Sequence, residues 1–210
     1  QAAQGARLRV ATTHSPPVVT TTPWMVAPMS APHHPIGSTE PSTGSNLSQA
    51  IQALQQYADA EAREQAVETL GAIDGGSNQT LQAWTQALLQ DAHPDVRLWS
   101  AIAGGSKQML QPLTQALLQD NHTEVRRWAA WILGETGGGS HQALQALTQA
   151  LLQDGDPQVR DMAARALGAI GGGSNQALQT LKQALLHDPH VHVRLSAAEA
   201  LGAIGGGSHQ

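Results

Sequence analysis

From Asn46 onward the apolar residues recur at helical spacing. Leu178, Leu181 and Leu185 stand at i, i+3 and i+7, with Leu186 widening the stripe. Leu144, Leu147, Leu151 and Leu152 repeat that pattern one unit earlier, and Leu110, Leu113 and Leu117 do so before them. Pro112 interrupts this earliest of the three, and proline is tolerated only in a first helical turn, so the spacing predicts a helix starting near Gln111. Each such helix is followed by a second. Asp156 and Pro157 supply an N-cap and a first helical residue, after which Val159, Ala163, Ala166, Leu167 and Ile170 line one face. The alanines let two helices approach closely. Gly171 to Gly173 then end the helix and turn the chain, because glycine reaches positive φ without steric cost.

This two-helix pattern repeats. Asp154 to Ser174, DGDPQVRDMAARALGAIGGGS, returns as DPHVHVRLSAAEALGAIGGGS from Asp188 and as DNHTEVRRWAAWILGETGGGS from Asp120. A shortened copy, DAHPDVRLWSAIAGGS, starts at Asp91, and a divergent one, YADAEAREQAVETLGAIDGGS, at Tyr57. Arg63, Arg97, Arg126, Arg160 and Arg194 mark the register, with spacings of 34, 29, 34 and 34 residues. A period of this length predicts an all-α solenoid of about five two-helix repeats. The 29-residue spacing predicts a short second helix in the second unit and a kink in the stack there.

The motif D-x-x-x-x-V-R-x-x-A-A-x-A-L-G resembles the HEAT repeat, and in particular the short HEAT-like repeats of phycobilisome-lyase-type proteins. The resemblance runs from about Asn46 to the C-terminus and speaks to fold; such solenoids serve as scaffolds, adaptors, lyases and structural parts. It also implies an Asp and an Arg six residues apart that bond between neighbouring units. Here that means Asp91 with Arg97, Asp120 with Arg126, Asp154 with Arg160 and Asp188 with Arg194. The first unit departs from the family, with Tyr57 in the aspartate position.

Residues 1–45 have no helical period. They are rich in Pro, Thr and Ser, and Pro16, Pro17, Pro23, Pro28, Pro32, Pro35 and Pro41 favour extended backbone. The chain therefore divides into an extended arm, 1–45, and a HEAT-like solenoid, 46–210. By composition alone the arm reads as a disordered linker or a mucin-like stalk; the expectation set against that is an arm lying on a neighbouring solenoid, with Val18, Val19, Trp24 and Met25 as apolar anchors. Only 13% of residues are charged, so glutamine carries the polar faces, which suits packing against copies of the same chain. A net charge of −5 and the lack of any Lys/Arg run remove the electrostatic footprint of nucleic-acid binding. No run of 18 apolar residues offers a membrane span. The chain starts at Gln1 without methionine or a hydrophobic leader, and the expectation is a removed signal peptide and an extracellular protein.

Candidate chemistry is sparse. His187, His190 and His192 cluster beside Asp188 at a helix start, but their counterparts elsewhere are Gln153, Asp156 and Gln158, and they read as turn histidines rather than metal ligands. The GGGS turns lack the Lys and Ser/Thr of a phosphate loop. No nucleophile elbow or carboxylate pair stands out, so no catalytic residue and no cofactor is expected. Trp99, Trp128 and Met162 occupy one outward position of successive second helices, with Trp131 one turn along, a row that reads as a protein-binding surface. Trp84 replaces a core leucine. The C-terminal unit carries no polar cap, and Ala197, Leu201 and Ile204 are expected to meet Leu47, Ile51 and Leu54 of another copy. The leading reading is a non-enzymatic structural protein, a homopolymer joined end to end as a filament or tube with each arm docked on a neighbour. The alternatives are a monomeric adaptor that binds another protein on its tryptophans, and a bilin-lyase-like protein.

Overall fold

A computed structural model describes residues 43–206, Gly75 excepted. Ten α-helices follow one another: α1 (Thr43–Gln56), α2 (Ala60–Asp74), α3 (Asn78–Gln90), α4 (Pro94–Ala103), α5 (Leu110–Gln119), α6 (Thr123–Thr136), α7 (His141–Gln153), α8 (Pro157–Ile170), α9 (Asn175–His187) and α10 (Val191–Gly206). No strand occurs among the described residues. Successive helices pair as α1–α2 through α9–α10, and each pair stacks on the next, so the expected all-α solenoid of two-helix units is what forms. Its first helix begins at Thr43, slightly before the predicted boundary at residue 46. Val18, Val19, Trp24 and Met25 lie outside the described residues.

Local chemistry sets the helix ends. Ser77, Ser140 and Ser174 are N-caps whose hydroxyls accept hydrogen bonds from the backbone N–H of Thr80, Ala143 and Ala177. The serine of the GGGS turn thus starts the next helix, a role the spacer reading missed. Two of its glycines are required for different reasons. Gly139 and Gly173 adopt φ of 80° and 79°. A methyl on Gly171 would lie 2.4 Å from the Leu167 carbonyl oxygen and 2.7 Å from Ala177 Cβ. Asp156 caps α8 through Gln158 N–H, with Pro157 at the first helical position.

The short second unit keeps its packing by trimming one helix. α4 has 10 residues where α6 and α8 have 14. A 3₁₀ turn, Lys107–Met109, then replaces the opening turn of the next first helix. Pro112 explains that turn: a helix opening at Lys107 would put proline in its interior, whereas α5 from Leu110 keeps it in the first turn.

The core lies between the two layers of helices. Leu113, Leu147 and Leu181 from first helices, and Val125, Val159, Val193, Ala129, Ala163 and Ala197 from second helices, are all fully buried. Leu152 and Leu186 are exceptions to their predicted stripes, 40% and 69% exposed. The second helices meet at small residues. A methyl on Gly134 would lie 2.9 Å from Ala166 Cβ, and one on Gly168 would lie 2.8 Å from Ala200 Cβ and 3.0 Å from its Cα.

Arginine–aspartate rungs tie the stack together, in a pairing that differs from the expected one. Arg97, Arg126 and Arg160 do not bond the carboxylates of Asp91, Asp120 and Asp154 six residues before them. Each instead donates through Nε and Nη2 to the next unit's aspartate: Arg97 to Asp120, Arg126 to Asp154 and Arg160 to Asp188, at 2.7–3.1 Å. Arg63 does the same with Asp91 at 2.8 Å for both bonds. The residue six positions back contributes only its backbone carbonyl, which accepts from Nη1. The helix geometry is the cause. The guanidinium reaches past its own loop, and that loop's aspartate already faces the preceding unit. Tyr57 in the first unit keeps this half of the pattern, since its carbonyl accepts from Arg63. Despite its deletion, the second unit keeps its rung and adds a bond from Arg97 Nη2 to Asn121 Oδ1 at 3.0 Å.

These rungs are nearly dry, the paired side chains of Arg160 and Asp188 being 12% and 6% exposed. Arg160→Ala leaves the Asp188 carboxylate buried with a single backbone donor, and chemical denaturation should show a loss of about 3 kcal/mol.

Acid should weaken the same bonds. Burial pushes the Asp91 and Asp188 carboxyls up, but hydrogen bonds from Arg63 and Arg160 and from backbone N–H groups, with the nearby positive charges, bring both below the ordinary 3.8. A carboxyl depressed by folding stabilises the fold above its unfolded value and loses that contribution as the pH falls through its folded one. Stability attributable to the Asp91 and Asp188 rungs should hold from neutrality to about pH 4 and decline below it, a decline that denaturation midpoints should track and Arg160→Ala should blunt.

Position in the stack should decide what a methyl does. Gly168→Ala should destabilise by about 1–3 kcal/mol because the Ala200 backbone must move. Gly202, the equivalent residue in α10, has nothing within 4 Å. Gly202→Ala, melted in dilute solution, should stabilise by about 0.5–1 kcal/mol through helix propensity alone.

Candidate interaction surfaces

The tryptophans sit deeper than expected. Trp99 is 37% exposed, while Trp128 and Trp131 are half-buried, as is Met162. The second helices pack so closely that each covers the flank of its neighbour, and Trp131 and Met162 lean on the core. Trp128 and Trp131, three residues apart on α6, meet edge to face with centroids 5.3 Å apart and planes at 82°. They form one aromatic pair, with Trp99 one unit back on α4, rather than an open row. Trp84 is 1% exposed, in the core as expected. A groove of about 610 Å³ runs beside α3 where the 3₁₀ turn approaches it, between Leu81, Thr85, Leu89, Gln108 and Met109.

The C-terminal end of the stack also differs from its sequence reading. Ala197 is fully buried and Ile204 only 9% exposed, because both point into their own unit; Leu201 is half-buried. At the other end, Leu54 is buried, and Leu47 and Ile51 are half-buried against the core. The apolar side chains that α10 does expose are Val191 at 58% and Leu195 at 52%, with Ala198 and Gly202 on the same face. Helical spacing identifies that face, since Leu195 and Gly202 correspond to Asp161 and Gly168 of α8, which meet Ser196 and Ala200 of the following unit. Arg194 belongs to it too. Its Nη1 bonds the carbonyls of Asp188 and Pro189, and its Nε and Nη2 have no partner among the described residues. α10 thus presents the donor half of a joint that is closed four times elsewhere.

The first helices offer a third surface, of glutamine. Gln86, Gln115, Gln149 and Gln183 hold one repeat position on α3, α5, α7 and α9, and Gln82, Gln111, Gln145 and Gln179 another; all are exposed. Gln55 Nε2 donates to Gln86 Oε1 at 3.2 Å across the first joint.

The charged groups gather once more, at the joint between the first two units. His93 Nδ1 lies 3.6 Å from Asp95 Oδ2 and 4.0 Å from Glu64 Oε1. Burial foremost, then the charge of Asp95, raises the Glu64 carboxyl above its usual range. His187, His190 and His192 remain exposed at the far end of the stack, His190 and His192 with ring centroids 5.4 Å apart. No helix among the described residues is long and apolar enough to cross a membrane.

Residues 110–202 match the family described as HEAT repeats. None of the curated proteins matches the chain. The matched segment spans α5 to α10, and the same rungs extend the pattern backwards, through Arg97 to Asp120 and through Arg63 to Asp91. With helix pairs stacked over the whole described region, the protein is a HEAT-like repeat protein in its fold, the family itself being matched over residues 110–202.

Proposed function

We propose that the protein is a non-enzymatic structural scaffold that associates with copies of itself, end to end, through the exposed face of α10. The observation that carries this reading is the face of Arg194, Leu195, Ala198 and Gly202, where exposed apolar side chains stand beside a guanidinium fork with no partner among the described residues. Burying Val191 and Leu195 favours association by about 1.5–3 kcal/mol each before the cost of holding two molecules together. A heterologous joint of this kind need not close on itself, and an open one grows as a filament. The first unit meets it with Tyr57 where other units have aspartate, so an end-to-end joint lacks the bidentate rung and rests on apolar burial. Association should therefore be reversible and weaker than any internal joint. Docking of residues 1–45 on a neighbouring molecule would add a second contact and strengthen the polymer through avidity. The Pro/Thr/Ser-rich composition of that arm supports an extracellular setting.

Trp99 favours a second reading, an adaptor that binds another protein beside the short second unit, because tryptophan is rarely left in water without use.

Light scattering separates the two. The mean mass should climb above the 22.0 kDa of one chain as concentration rises. Leu195→Glu should hold it there without unfolding the protein, and Arg194→Ala should change little because no carboxylate awaits it. A particle that stays monomeric at high concentration overturns self-association and leaves the adaptor.

A further inference from the structure

We propose that Glu64, His93 and Asp95 form a binding site for a divalent transition cation of the zinc class, which would brace the first unit against the second. The three residues come from two elements. Glu64 projects from α2, His93 is the residue before α4, and Asp95 lies in the first turn of α4. One ligand atom from each falls within 4.8 Å of the others, an imidazole nitrogen among two carboxylate oxygens. Donors around zinc stand about 3.3–3.5 Å apart in a tetrahedral site with bonds of about 2.0–2.2 Å. Two of the three spacings, 3.6 and 4.0 Å, lie near that, and the third, Glu64 to Asp95, within 4.8 Å, so the set needs a closure of up to about 1.5 Å. Asp95, 54% exposed at its side chain, is free to make it.

Among the described residues no hydrogen bond accounts for the site's polar atoms, which meet one another only at ion-pair distances. His93 Nδ1 is buried and makes no hydrogen bond, although the ring itself reaches solvent. His93 precedes α4 in the capping position yet makes no side-chain capping bond. Neither Glu64 nor Asp95 has a hydrogen-bonding partner among the described residues, and Asp59 and Glu61 add further negative charge around Glu64. A cation relieves that repulsion. Nitrogen in the donor set selects a transition ion over calcium or magnesium, which take oxygen ligands. Three protein ligands leave a coordination position for water.

The repeat supplies a comparison. Three units along, the same positions hold Asp161, His190 and His192. There the carboxylate is already engaged, Asp161 accepting from Ser196 Oγ at 2.5 Å and from Arg165 Nε at 3.2 Å. In the first joint no hydrogen bond among the described residues engages the equivalent Glu64, and the position of Ser196 is held by Trp99.

Calorimetric titration of the full chain with zinc chloride tests the site, with thermal melting as a second readout. The expected result is a saturable event and a raised melting temperature. His93→Ala and Glu64→Gln should each weaken binding roughly tenfold or more. A double variant, His190→Ala with His192→Ala, should leave it intact. The proposal is overturned by no saturable binding, by binding indifferent to His93→Ala and Glu64→Gln, or by binding that disappears in the double variant. Circular dichroism of each variant without zinc distinguishes a lost ligand from a lost fold, since both single changes fall on partly exposed side chains.

Discussion

Each repeat arginine does two things at once, and the stack depends on the combination. Its Nη1 holds the carbonyl of its own inter-helical loop, while Nε and Nη2 form a fork on the aspartate of the next loop. That aspartate also accepts the backbone N–H two residues on, as Asp188 does from His190. One side chain therefore fixes the shape of one loop and the position of the next. Buried ion pairs gain little over apolar packing of equal volume, but their geometry admits few alternatives. With cores of leucine and alanine, which could slide past one another at small cost, the rungs supply the register. The deletion in the second unit shows the priority: α4 is shortened and a helical turn tightens to 3₁₀, yet the rung from Arg97 survives at 2.7 Å.

Much of this fold was legible in the sequence because helices are local. Leucine spacing, Asp156-Pro157 and Pro112 report the conformation of their own segments, and the 34-residue period reports the stacking. Partnership was less legible. The six-residue spacing of Asp and Arg within a unit is visible in one dimension, whereas the fork closes over 28 residues to a neighbour. Burial along the stack escaped for a related reason. Helical periodicity separates inward from outward within a unit but does not say how far the adjoining second helix covers a flank, so Trp128 and Trp131 were read as exposed and Ala197 and Ile204 as available. Glu64, His93 and Asp95 were missed because the first is separated from the others by a whole helix, α3. Setting the repeats in register, with Asp161, His190 and His192 beneath them, is the one sequence-level signal for that set.

The glutamines on the first helices give the outer layer a physical character of its own. An amide neither gains nor loses a proton across the pH range of living systems, and its dipole is barely screened by dissolved salt. Contacts made through Gln82, Gln86 and their counterparts would thus persist unchanged from brine to fresh water and from mild acid to mild base. The molecule's cohesion rests on ionic bonds, but those are hidden where ions reach them least. Along the first helices, the rows of glutamine it shows to its surroundings are indifferent to their acidity and salt.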